Sequence, residues 1–331
     1  MTGLPHIAVI FTGGTISMLP EPATGAAVPS LDGAAILART PGLEAIAYVE
    51  PIDWGLVPAS HLRFAQILDI ARSLRDTLAR ADIDGAVLVQ GTDVIEETAF
   101  AFDLLVGSPK PLVVVGAMRS AADPGYEGPA NLRDALRAAA SPGLAGQGAL
   151  VVMGGQVLPA DDVTKTHTDS YDTFQALNLG SLGRIIAGGV VVGRSRTARR
   201  RLAVIPDAAA EPVPLITATV AADGLLLRLA AQAGARGIVV AATGSGNTDP
   251  DLLRAAREAM AEGIPVVHAT RCPAGRASGG YGFPGGGASW LRAGAMPCGF
   301  LSGPKARIAL ALGLGAGLDD AGLRELLADP G

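Results

Sequence analysis

Cysteine and lysine are the scarce residues of this chain. Two cysteines, Cys272 and Cys298, cannot form a disulfide framework. Neither belongs to a CxxC pair or to a histidine-containing ligand cluster, so a structural zinc site is excluded as well. A reduced, cytoplasmic setting is the simpler expectation. The N-terminus lacks a positive region and a clear small-residue cleavage site, which argues against a signal peptide. Its charge-free stretch Met1–Pro20 holds Pro5, His6 and a polar Thr-Gly-Gly-Thr run, so it would span a bilayer badly. No basic surplus exists either. A net charge of −5 and an isoelectric point of about 5.4 leave no footprint for nucleic acid. Among 26 basic residues only Lys110, Lys165 and Lys305 are lysines. Where a lysine stands among so many arginines, the question is whether arginine could do the same job.

What is present is core material. Hydrophobic residues make up 49% of 331 and charged ones 17%, enough to bury one large α/β domain or two smaller ones. Short β-branched runs alternate with helical spacing, the pattern of a mostly parallel, doubly covered sheet. Ile7–Phe11, Ala86–Val89, Leu112–Val115 and Ala149–Met153 read as strands. Phe64, Ile67, Leu68, Ala71, Leu74 and Leu78 recur at helical spacing, and Asp84-Gly85 closes that unit. Glu96 and Glu97 suit the first turn of a helix that stops at Gly107. Arginines cluster over Arg194–Arg201, ahead of a proline-rich segment. That reads as an exposed, acid-paired connection with a boundary near residue 210. Beyond it, Gly237–Ala241 and Pro265–His268 read as strands around a helix capped by Asp249 or Asp251 and closed at Gly263. Ala277–Ala288 has six glycines in twelve residues and reads as a loop whose backbone approaches something closely.

In doubly wound sheets, ligands bind outside the carboxyl ends of the strands. Three polar loops leave strands there: Thr12–Ser17, Gly91–Asp93 and Ala117–Arg119. The first two set threonine hydroxyls beside glycines, and neither carries a dinucleotide or P-loop fingerprint. A fourth segment, Asp162-Val-Thr-Lys-Thr-His-Thr168, holds Lys165. Lysine can lose its proton and act as a general base where arginine cannot. A threonine hydroxyl becomes a nucleophile once a base removes its proton, so threonine and lysine together need neither histidine nor metal. His167 reads first as a hydrogen-bonding loop residue rather than a catalytic one.

Together these segments resemble the bacterial L-asparaginase family, which includes the asparaginase-glutaminases. The matching pieces are Thr12-Gly-Gly-Thr-Ile16, Gln90-Gly-Thr-Asp93 with Glu96-Glu-Thr98, Gly116-Ala-Met-Arg119, Gly128-Pro-Ala-Asn-Leu132, Asp162-Val-Thr-Lys-Thr166 and Gly244-Ser-Gly-Asn247. They run in family order over nearly the whole chain. Each is weak alone, and the set is specific. The resemblance implies two α/β domains, a larger N-terminal one over residues 1–195 and a smaller C-terminal one over 213–331, joined by a linker at 196–212. It implies sites at an intimate dimer interface, within a homo-oligomer (a dimer, or a tetramer of intimate dimers).

The implied activity is hydrolysis of the asparagine side-chain amide to aspartate and ammonia through an acyl-enzyme, with no cofactor and no metal. Thr15 is the implied nucleophile, with Thr92 and Lys165 as a hydroxyl–base pair oriented by Asp93. Gly14, Gly91, Ala117 and Asn247 fall at substrate-binding positions. The family's carboxylate-binding serine falls at Ala59 in a gapless register, with Ser60 one place later. A lid tyrosine is missing from Met18–Ser30, where Gly25-Ala26-Ala27 stands instead. The acidic residue that a neighbouring subunit supplies in some members has no counterpart in 277–288, and Tyr281 in that stretch is the candidate substitute for the missing lid phenol, contributed by a partner subunit. Tyr126-Glu127 stands where an aspartate is more usual before Gly128-Pro129. These departures touch substrate choice more than reaction type. Rival readings are the same chemistry on glutamine, a D-amide or a modified asparagine, and an inactive module that senses an amino acid.

Overall fold

The computed structural model describes residues 3–330 apart from Pro22 and Gly25. The chain divides into two compact units, Met1–Arg199 and Arg200–Gly331. Unit 1 opens on β1 (His6–Phe11), apolar and buried from Ile7 onward. Two glycines break it, and a 3-10 turn at Thr15–Ser17 leads into the hairpin of β2 (Met18–Pro20) and β3 (Ala27–Pro29). Asp32 caps α1 (Gly33–Ala38) by accepting from the Ala35 N–H, and β4 (Tyr48–Asp53) comes next. The apolar stripe from Phe64 to Leu78 forms α2 (Phe64–Ala79) and faces inward, as its period predicts. The alternation continues through β5 (Gly85–Val89), α3 (Ile95–Leu105), β6 (Leu112–Val115), α4 (Gly128–Ala139) and β7 (Ala149–Met153). Short strands then take over: β8 (Gln156–Pro159), β9 (Val163–Lys165), β10 (Phe174–Ala176), β11 (Gly183–Ile186) and β12 (Gly189–Val192).

Eight of these strands form one sheet in the order β12-β11-β8-β7-β6-β5-β1-β4. The five from β7 to β4 are parallel, and β8, β11 and β12 extend the sheet antiparallel. β5, β6 and β7 are buried along their whole length, so both faces are covered. Register sets where the central strands stop. Phe11 lies opposite Val89, and Val89 opposite Val115, so β1, β5 and β6 end level. Their three loops start side by side at one sheet edge.

Unit 2 is smaller. Its parallel sheet of β13 (Leu215–Thr217), β14 (Ile238–Ala242), β15 (Val266–Thr270) and β16 (Met296–Pro297) runs in chain order. Around it lie α5 (Leu225–Gln232), α6 (Pro250–Ala261), α7 (Gly287–Arg292), α8 (Gly303–Gly315) and α9 (Asp320–Leu327). Ile216, Leu227, Ile238, Val240, Leu252 and Trp290 form its core. Among the described residues, no helix is long and apolar enough to cross a membrane.

Three sequence expectations need correcting. The arginine-rich segment is acid-paired as expected, but three of its arginine side chains are buried rather than exposed. The Arg196 and Arg199 side chains are 5% exposed and both pair with the fully buried Asp103 of α3, at 2.8 and 3.0 Å. Arg196 also pairs with Asp161, and Arg200 with Asp329. Guanidinium groups buried in this way are held by carboxylates, and the division between units falls inside the cluster, at Arg199/Arg200. Gly85, expected to end a unit, is instead the buried first residue of β5. The glycine-rich loop also stops early, because Gly287 and Ala288 already belong to α7.

Candidate active site

The site is built at the level edge of β1, β5 and β6. Thr12 donates its N–H and its hydroxyl to the Val89 carbonyl, both at 3.0 Å, so the first loop stays stitched to β5 as it leaves the sheet. Gly14 then takes φ +96°, a left-handed region that an L side chain resists. A Cβ there would also overlap the backbone nitrogen of Gly91. Both demands select glycine, and the consequence is close apposition of two backbones. Gly14, the residue before Thr15, is thereby set against Gly91. The Ser17 hydroxyl, fully buried, donates to the Gly14 carbonyl at 2.7 Å and closes the turn beneath Thr15.

The second loop holds the polar centre. Thr92 opens a 3-10 turn that runs into α3. Lys165, on β9, brings its amine to Thr92 Oγ1 at 3.0 Å and to Asp93 Oδ1 at 3.3 Å. Its side chain is 17% exposed, while that of Asp93 is 66% exposed and open to solvent. A hydroxyl, an amine and a carboxylate thus meet across more than 70 residues of sequence. The hairpin carrying Lys165 is pinned by Asp162, whose carboxylate accepts from the Asn178 and Leu179 N–H groups. His167 is a turn residue, as expected: Nδ1 accepts from the Asp169 and Ser170 N–H groups, each at 3.0 Å.

The third loop begins at Gly116, packed against Gln90 and the Thr92 methyl. Asn131 of α4 donates to its carbonyl at 3.1 Å, and Ala117 follows it fully buried. Ala59, also buried, packs on Gly91, whereas Ser60 is exposed to solvent. Of these two neighbours, Ala59 sets a methyl group against Gly91 and Ser60 does not face it.

Two expected positions belong to unit 2. Asn247 sits in the turn after β14, where its Oδ1 accepts from the Gly287 N–H at 3.4 Å. Tyr281 is half exposed, with its ring tilted against Phe283 at 5.7 Å. Gly25 of the tyrosine-free segment lies outside the described residues.

One contributor escaped the sequence reading of roles. Tyr126 donates its hydroxyl to the Ile16 carbonyl at 2.9 Å, one residue beyond Thr15. The signal that could have found it was the unusual Tyr126-Glu127 pair itself.

Comparison with known proteins gives two family matches. The model described as "Asparaginase, N-terminal" matches residues 6–198, and "Glutaminase/Asparaginase C-terminal domain" matches residues 212–327. A probable L-asparaginase of Deinococcus radiodurans is 38% identical over 96% of both chains. L-asparaginase 2 of Bacillus subtilis is 32% identical over 81% of this chain and 73% of its own. L-asparaginase 2 of Escherichia coli is 32% identical over 82% of this chain and 79% of its own.

Proposed function

The chain belongs to the asparaginase family, and from that premise we propose that it hydrolyses the asparagine side-chain amide with Thr15 as nucleophile and Lys165 as base. The observation that carries the reading is the Lys165 amine on both Thr92 and Asp93, on the same sheet edge as Thr15. Neutral lysine accepts a proton that arginine never could. Thr15 Oγ adds to the amide carbon, and its proton passes by way of the Thr92 hydroxyl to Lys165 Nζ. The carbonyl oxygen becomes an oxyanion, which backbone N–H groups at the turn opening α3 and at Ala117 stabilise. The proton returns to the amide nitrogen, the C–N bond breaks, and ammonia leaves an aspartyl ester on Thr15. Water then adds to the ester while the Thr92–Lys165 pair takes its proton. Aspartate departs and Thr15 regains its hydrogen. Asp93, exposed and anionic, suits the substrate's α-ammonium.

A second reading has one observation behind it. Ala59 presents a methyl group beside Gly91 where a hydroxyl would hold an α-carboxylate, and Ser60 faces solvent. Amides with a modified carboxylate or amine are the alternative substrates. Homo-oligomerisation belongs to the same proposal, and the exposed Leu225, Leu226 and Leu229 on α5 support it.

Ammonia release across L-asparagine, L-glutamine, D-asparagine and modified asparagines tests the reading. L-Asparagine is expected to show the highest kcat/KM. Thr15→Ala is expected to abolish turnover, and Lys165→Met to lower kcat by about 100- to 10,000-fold, the usual worth of a general base. Full activity in Thr15→Ala would overturn the nucleophile. Binding of aspartate by calorimetry without ammonia release from any amide would overturn the enzyme.

A further inference from the structure

The loop between β6 and α4 is held from two directions. On one side, the Tyr126 hydroxyl donates to the Ile16 carbonyl at 2.9 Å, and the Ala121 N–H reaches the Met18 carbonyl at 3.3 Å. Ile16 belongs to the turn that carries Thr15, and Met18 opens β2 directly after it. On the other side, the loop meets the segment between β9 and β10, just beyond Lys165. The Tyr171 hydroxyl donates to the Gly125 carbonyl at 3.0 Å, and the Arg119 guanidinium lies over the Tyr171 ring at 5.1 Å. Within the loop, Glu127 accepts from the Met118 and Arg119 N–H groups, and Asp123 accepts from the Ser120 N–H and hydroxyl. The loop is therefore a stiff brace rather than a slack connection.

We propose that Tyr126 is a positioning residue that locks the Thr15 turn against this brace, and so sets the nucleophile relative to the Thr92–Lys165 pair. The inference rests on Thr15 as nucleophile. Three observations support it. The bond spans 110 residues of sequence, so no local geometry enforces it. Burial pushes the phenol up to about 12, so it keeps its proton and remains a donor throughout the working range. Gly128, the first residue of α4, leaves room for the ring: a Cβ there would overlap the ring carbon bearing the hydroxyl. The glycine makes way for a tyrosine whose only polar group points at the nucleophile's turn.

Tyr126→Phe keeps the ring and removes the bond. The expected result is a fall in kcat of about tenfold, the scale of one lost positioning hydrogen bond, with KM changed less than about twofold. The melting temperature is expected to stay near wild type, a combination that a purely structural role would not produce. Gly128→Ala keeps the hydroxyl but displaces the ring, and is expected to lower kcat comparably. In the Tyr126→Phe background it has no bond left to break, so its effect on kcat is expected to vanish. Wild-type kcat in Tyr126→Phe would overturn the inference, as would simple multiplication of the two effects in the double variant. Thr15→Ala, assayed alongside, separates the two readings. If it is inert while Tyr126→Phe is fully active, only the positioning role fails. If it remains active, the nucleophile and the positioning role fall together.

Discussion

Acid should loosen unit 2 through one buried histidine. His268 lies on β15, 1% exposed, with its ring stacked on Trp290 at a centroid distance of 5.0 Å and 6° between planes. Its Nε2 is 3.0 Å from the Gly246 carbonyl, which can only accept, so Nε2 carries the hydrogen of a neutral ring. Burial pushes the imidazole down to about 4 from an ordinary 6.5, and the bond to Gly246 only partly opposes this. The unfolded chain therefore binds a proton as pH falls through 6.5, while the folded chain does so only near 4. Stability that is complete above 6.5 is lost progressively across that window. A gap of two to three pH units is worth about 3 kcal/mol between pH 7 and pH 4. The assay is urea unfolding followed by tryptophan fluorescence. A Trp54→Phe background makes Trp290 the reporter, since it lies in the unit 2 core. His268→Gln removes the titration but not the carboxylates that titrate in the same range. The parent is expected to lose about 3 kcal/mol more than His268→Gln on going from pH 7 to pH 4. Equal losses would refute the argument, as would a larger loss in the variant.

Two further substitutions probe how the site and the unit are held. Gly14→Ala would force the Thr15 turn away from Gly91, and a displacement of about an ångström at a reacting group costs roughly 100-fold in turnover. Ammonia release at wild-type rate would show that this apposition does not place Thr15. Asp103→Ala leaves Arg196 with Asp161 but strips Arg199 of its carboxylate in a site where both guanidinium side chains are 5% exposed. Breaking a buried pair in this way costs about 3 kcal/mol or more, so chemical denaturation showing a loss below about 1 kcal/mol would refute the role given to Asp103.

Particular elements explain what could be read and what could not. α2 was legible because one face is buried and the other is wet, which leaves the 3.6-residue stripe in the sequence. α8 was not. It is buried nearly all round, and its Ile-Ala-Leu-Ala-Leu-Gly-Leu run alternates like a strand, so no stripe marks it as helical. β9 and β10 are three residues each, too short for any period to show. The arginine cluster read as exposed because its buried carboxylate partner, Asp103, stands nearly a hundred residues earlier, and only folding brings it into contact with Arg196 and Arg199.

By itself, the sequence determined the residue types of the proposed chemistry and the strands that carry them. Thr15, Thr92, Asp93 and Lys165 stand in short polar segments beside β-branched runs, and Lys165 stands where the proposal calls for a base that arginine cannot be. Tertiary structure alone decided which groups meet. Level strand ends bring Thr12 and Gln90 side by side, a left-handed glycine lets two backbones touch, and a hairpin returns Lys165 to Thr92. Tyr126 shows the difference most plainly. Nothing in its local pattern names a partner, because a side chain's hydrogen bond across 110 residues is set by how the sheet edge is folded.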